Sequence, residues 1–182
     1  LKTLRNVPSI FMWTIFNEGW GQFDDETLTD ALRKLDPTRL IDSASGWYDK
    51  GAGDFRSKHI YFRPPWIFND HRRVLSLSEF GGYSLKVPQH IYSYRIFGYK
   101  FCRSFSSFNR ALQVLYRKHI VHLISYHGLG LCVLTQLTDV EEETNGMLTY
   151  DRRIVKLNVG EMRLVNLLCA EHFSKALRKV QK

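Results

Sequence analysis

Ile10-Phe11-Met12-Trp13-Thr14-Ile15-Phe16-Asn17-Glu18-Gly19 and Val74-Leu75-Ser76-Leu77-Ser78-Glu79-Phe80-Gly81-Gly82 share one pattern: an apolar run, a glutamate, then glycine. A short run rich in β-branched and aromatic residues reads as a buried strand, and the glycine behind it as a turn. Each carboxylate is thereby predicted at the C-terminal end of a strand, where parallel sheets and barrels gather reactive groups. A lone glutamate in that position is ordinarily a solvated cap or an ion-pair partner. Two in matching contexts suit a reaction that needs one carboxyl to donate a proton and another to attack or to activate water.

Strand and helix signals alternate outward from these runs. After the first strand, Ile10–Asn17, the acids Asp24-Asp25-Glu26 open a helix with Leu28, Ala31, Leu32 and Leu35 on one stripe, closed by Asp36-Pro37. Further strands are predicted at Arg39–Ser43, Lys58–Phe62, Val74–Ser78 and Leu131–Gln136, with a long Gly-rich aromatic loop from Trp47 to about Ser57. From Asn109, the spacing of Leu112, Tyr116, Ile120 and Leu123 predicts an amphipathic helix ended by Gly128 and Gly130. A last helix is expected over Ile154 to Leu177. Residues 83–108, rich in Tyr, Ser and Phe, read as a long excursion with at most one helical turn.

Alternating strands and helices imply an α/β fold with a parallel sheet and right-handed crossovers. A complete (β/α)₈ barrel takes about 250 residues. This chain has 182 residues and five predicted strands, so it reads as a partial TIM barrel forming one unit, residues 1–182. Leu1-Lys2-Thr3-Leu4-Arg5 has no apolar core or cleavage site of a signal peptide and reads as the interior of a longer protein, which leaves the compartment open.

Composition removes several classes. No run of 18 apolar residues occurs, so no membrane association is expected. The net charge of +8 is scattered over Arg33-Lys34, Arg72-Arg73, Arg152-Arg153 and a C-terminal tail that ends at Lys182, with no stripe carrying interleaved aromatics. No nucleic-acid partner is therefore expected. Cys102, Cys132 and Cys169 are too far apart for a zinc motif and odd in number, which fits incidental thiols. His119 and His122 stand at helical i, i+3 spacing without a carboxylate partner, so no metal and no cofactor is expected.

The blocks taken together resemble the catalytic barrel of glycoside hydrolase family 2, the family of β-galactosidases and β-glucuronidases. Pro8-Ser9 through Asn17-Glu18 looks like its fourth strand, and Asp36-Pro37-Thr38-Arg39 matches the entry to its fifth. His59-Ile60-Tyr61 stands at the end of its sixth, and Ser78-Glu79-Phe80-Gly81-Gly82 looks like its seventh. Thr135-Gln136-Leu137-Thr138-Asp139, with Asn145-Gly146 and Thr149-Tyr150-Asp151-Arg152, is similar to its eighth strand and the loop that follows. The resemblance implies strands 4 to 8 of the barrel, without the β-sandwich domains and first three strands that precede them in the family.

It also implies a retaining β-glycosidase acting on β-galactoside-type substrates, with β-glucuronide or β-mannoside specificity as alternatives. Glu79 would be the nucleophile and Glu18 the general acid/base. Asn17 would donate to the sugar 2-hydroxyl. His59 and Tyr61 stand between sugar or carboxylate contacts and ordinary packing. Trp47, like Trp20 and Trp66, stands between a ring for a sugar face and plain packing. Gln136 and Asp139 are candidates to line the pocket, while Glu141–Glu143 reads as a solvated acidic turn.

Two residues depart from the family pattern: Val7 replaces a histidine, and Leu134 an aromatic that would help form the floor of the sugar site. An open part-barrel exposes unpaired strand edges. The competing expectation is thus an inactive piece that pairs with another copy or with a separately encoded remainder.

Overall fold

The apolar runs become parallel strands: Val74–Gly81 is buried along most of its length, whereas Met12–Asn17 and Leu129–Thr135, at the ends of the strand order, are only partly buried. The computed structural model describes residues 1–61, 63–69 and 72–180, and in chain order the elements are β1 (Met12–Asn17), α1 (Asp25–Leu35), β2 (Leu40–Ser45), β3 (Phe55–Ile60), β4 (Val74–Gly81), β5 (Tyr83–Leu85), β6 (Lys100–Cys102), α2 (Phe105–Val114), a π-helical stretch (Leu115–Ile120), α3 (Val121–His127), β7 (Leu129–Thr135) and α4 (Val159–Val180). β1 ladders with β2, and β3, β4 and β7 form a second sheet in that order. Every named pair is parallel, including the short β5–β6 pair.

Asp54 joins the two larger sheets. Its amide donates to the Ile41 carbonyl at 2.7 Å, and its carboxylate accepts from the Ile41 amide at 2.7 Å. Arg33 of α1 holds the other carboxylate oxygen at 2.9 Å. The five longer strands therefore run β1, β2, β3, β4, β7 side by side, as in an open segment of a barrel.

The apolar core lies outside the strands. Leu75, Leu77 and Phe80 of β4 and Leu129 of β7 pack against Phe108, Leu112, Leu115, Tyr116, Ile120 and Leu123 of the helical run, and against Met162 and Val165 of α4. The facing side of β2 and β3 is polar: the Ser57 hydroxyl donates to Asp42 at 2.5 Å, and both residues are buried. Burial pushes the Asp42 carboxyl up, against the Ser57 hydrogen bond that opposes the shift. Among the described residues no helix is long and apolar enough to cross a membrane.

Element bounds differ from expectation in informative ways. β3 begins at Phe55 inside the expected loop and ends at Ile60, while Phe62 lies outside the described residues. β4 runs on to Gly81, so Glu79 sits within the strand's last turn of pleat rather than behind it. Residues 83–108 are not a plain excursion: they contain β5, β6 and the start of α2. The last helix begins at Val159, because Lys156 is drawn into the interior and Asn158 accepts from the Glu161 amide at 3.1 Å as an N-cap.

His90 and Asp151 tie the segment after β5 to the loop before α4 at 2.8 Å. His90 first, then the Thr149 hydroxyl, pull the Asp151 carboxyl down to about 2. The native state thus holds fewer protons on this group than the unfolded chain between about pH 4 and pH 2. Its contribution is present above that window and lost as pH falls through it. Asp151→Asn is expected to flatten the fall in stability between pH 4 and pH 2, measured by urea unfolding; an unchanged slope would refute this.

Candidate active site

Parallel register brings the ends of the strands to one level. Asn17 of β1 stands opposite Ser45 of β2, His59 of β3 opposite Glu79 of β4, and Gly81 of β4 opposite Thr135 of β7. The β3–β4 ladder shifts between Ser57 and His59, the kind of irregularity that re-aims a side chain. The Glu18 amide donates to the Ser45 carbonyl at 2.8 Å, and the chain turns there with positive φ at Glu18 and Gly19.

The two carboxylates converge. His59 Nδ1 lies 2.9 Å from Glu18 Oε1 and 3.3 Å from Glu79 Oε2, and the three facing atoms all lie within 4.8 Å of one another. The imidazole is fully buried, whereas Glu18 and Glu79 keep 25% and 29% of their side chains open to solvent. His59 Nε2 meets the buried Ser45 hydroxyl at 3.0 Å. The Tyr61 hydroxyl donates to Glu79 Oε2, and Thr135 Oγ1 lies 3.2 Å from the same phenol oxygen, which can accept from it. Burial first, and the Glu79 hydrogen bond next, push the Tyr61 phenol far above its usual range, so it remains a donor.

Glycines make room for these rings. A Cβ on Gly46, where φ is +94°, would come within 2.5 Å of the His59 ring. A Cβ on Gly82 would lie 2.4 Å from Tyr99 and 2.8 Å from Tyr61. Those two tyrosines stack with centroids 4.0 Å apart and planes 6° from parallel. Gly46→Ala is therefore expected to cost about 1–3 kcal/mol in thermal unfolding through backbone strain and to displace His59; full native stability would show that the loop yields without cost.

The remaining candidates divide. Asn17 is exposed beside Glu18, and Trp47 is 46% exposed just after Gly46. Gln136 Nε2 donates to Glu143 Oε2 and Asn145 Oδ1, each at 2.8 Å, so Glu143 is anchored rather than merely solvated. Asp139 is not a pocket residue: it is buried against Lys156 Nζ at 2.6 Å. Trp20 is 80% exposed, and Trp66 borders a groove with His119, His122 and His127 that none of the carboxylate residues lines. Burial raises the Cys132 thiol to about 11, and Cys102 and Cys169 are also raised, so none is primed as a nucleophile.

Sequence reasoning missed Ser45, which lies just beyond the strand predicted at Arg39–Ser43, and Tyr99, which lies in a segment without periodicity. Ser45-Gly46 carried the available signal, a small hydroxyl and a glycine directly behind a strand. Chemically, two partly exposed carboxylates sharing one buried imidazole can pass a proton and face a developing positive charge.

Residues 1–63 match the family described as glycosyl hydrolases family 2, TIM barrel domain. No curated protein matches the chain. Among solved structures, a β-D-glucuronidase from Dictyoglomus thermophilum is similar in fold, with a TM-score of 0.60 and 16% identity over 91% of this chain and 32% of that one. The chain thus spans about a third of the length of that protein. The N-terminal third of the chain thus matches a glycosyl hydrolase family 2 TIM-barrel domain, and the fold of nearly the whole chain is similar to part of a β-D-glucuronidase.

Proposed function

We propose that residues 1–182 are the C-terminal portion of that barrel, with β1, β2, β3, β4 and β7 as its fourth to eighth strands, and that they carry the carboxylate pair of a retaining β-glycosidase. The observation that carries the proposal is the approach of Glu18 and Glu79, whose facing oxygens lie within 4.8 Å. Retention requires carboxyl groups about 5–5.5 Å apart, whereas inverting enzymes leave about 6.5–9.5 Å for a water.

In the first step Glu79 attacks the anomeric carbon while Glu18 protonates the departing oxygen, leaving a glycosyl ester on Glu79. In the second, Glu18 takes a proton from water, whose oxygen displaces Glu79. Tyr61 suits this division because its hydroxyl donates to Glu79 Oε2 and holds the attacking carboxylate in place. His59 donates through Nδ1 to one oxygen of Glu18 and leaves the other to carry the proton. Asn17 is placed to meet the 2-hydroxyl, with Trp47 and Gln136 as further sugar contacts.

The substrate is a β-galactoside or, with equal support from the similar fold, a β-glucuronide. Hydrolysis of chromogenic β-galactoside, β-glucuronide and β-mannoside, followed by proton NMR of the first anomer released, tests the reading. A β-anomer supports it, and an α-anomer overturns it.

A second reading, a partner-dependent piece, is favoured by one feature. Among the described residues β1 and β7 each ladder on one side only, and α4 leaves Val159, Leu164 and Leu167 more than half exposed. A monomeric mass in solution together with turnover would defeat it.

A further inference from the structure

Glu18, His59 and Glu79 form, among the described residues, the one group of three ligating side chains whose donor atoms lie within 4.8 Å of one another. We infer that this group binds a first-row divalent cation of the zinc or cobalt type, which occupies the place of the sugar. The geometry fits such an ion. Bonds of about 2.0–2.2 Å in a tetrahedral site put neighbouring donor atoms about 3.4 Å apart. The two imidazole–carboxylate separations, 2.9 and 3.3 Å, are close to that spacing, and the two carboxylate oxygens lie within 4.8 Å of each other.

The surroundings supply what a ligating imidazole needs. Coordination through Nδ1 requires that nitrogen to lose its proton while Nε2 keeps one, and an outer partner normally fixes that tautomer. Ser45 Oγ lies 3.0 Å from Nε2 and, being a hydroxyl, accepts from it as readily as it donates. Tyr61 steadies Glu79 from behind in the same manner. Half-open carboxylates leave the outer coordination positions to water. One nitrogen and two carboxylate oxygens select zinc, cobalt or nickel over magnesium and calcium, which prefer oxygen alone. Binding requires the neutral imidazole to carry its one proton on Nε2, where Ser45 Oγ can accept it, and leaves the Nδ1 lone pair for the ion.

Competition with substrate rests on the glycosidase reading; binding itself does not. Cobalt(II) titration of the chain, followed by its visible absorption and by calorimetry, tests the inference. A single saturable site is expected, weakened at least tenfold by His59→Ala and by the nearly isosteric Glu18→Gln, and unchanged by His122→Ala. Affinity that survives both site substitutions, affinity lost with His122→Ala, or no saturable binding at all would each overturn it. Binding without hydrolysis of any glycoside would instead count against the enzymatic reading and leave this one standing.

Discussion

Glu79→Gln is expected to lower glycoside hydrolysis by at least about four orders of magnitude, because no other group in the site can form the covalent ester. The amide is nearly isosteric and still accepts from Tyr61, so the thermal midpoint should barely move. Glu18→Ala should act differently. Proton donation matters in proportion to the basicity of the departing oxygen, so a dinitrophenyl glycoside should lose far less rate in its first step than an alkyl glycoside. Equal losses on both substrates, or turnover that survives Glu79→Gln, would invalidate the division of roles.

Lys156→Met should produce the largest loss of stability. Lys156 is fully buried and spends its ammonium on Asp139 Oδ1 at 2.6 Å, the Thr144 carbonyl at 2.9 Å and the Leu85 carbonyl at 3.1 Å. Burial outweighs mutual attraction here, since it lowers the Lys156 ammonium and raises the Asp139 carboxyl, drawing both toward neutrality. Removing the cation leaves a buried carboxyl whose Oδ2 already lacks a partner and takes the ammonium from the Leu85 carbonyl, while the Thr144 carbonyl keeps the Leu85 amide at 2.9 Å. Losing one member of such a pair costs about 3–5 kcal/mol, which for a chain of this size is a fall of roughly 6–20 °C in Tm. Adding Asp139→Leu to Lys156→Met should recover a large part of it. Because Asp139 also accepts from the Gly146 amide at 2.7 Å, the single variant should loosen the loop that holds Gln136 to Glu143. A single variant as stable as the parent would show that the pair is dispensable.

The strands that carry the carboxylates were legible because their apolar runs are continuous, mostly buried in β4 and partly buried in β1, and because glycine follows where the chain turns with positive φ. The pairing of His59 with both glutamates was not. It depends on a ladder irregularity in β3 and on Gly46 leaving space for the ring, and neither has a local signature. Residues 83–104 hid β5 and β6 because strands of three residues are too short to show alternation. The start of α2 was obscured for a chemical reason: Ser104 caps it with Ser107 at the third position, where the familiar pattern has Glu or Gln. Asn158-Val159-Gly160-Glu161 did hold the true start of α4, but the apolar spacing from Ile154 drew the reading upstream.

The claim on which the mechanism depends is that Glu79 attacks sugar while Glu18 handles the proton. Incubating the chain with 2-fluoro-β-glycosides of galactose and glucuronic acid, which slow release of the ester, and then mapping peptides by mass spectrometry reads this directly. The account predicts one glycosyl adduct, on Glu79, absent from Glu79→Gln and retained in Glu18→Gln when the leaving group is dinitrophenolate. An adduct on Glu18 or on any other carboxylate would contradict it.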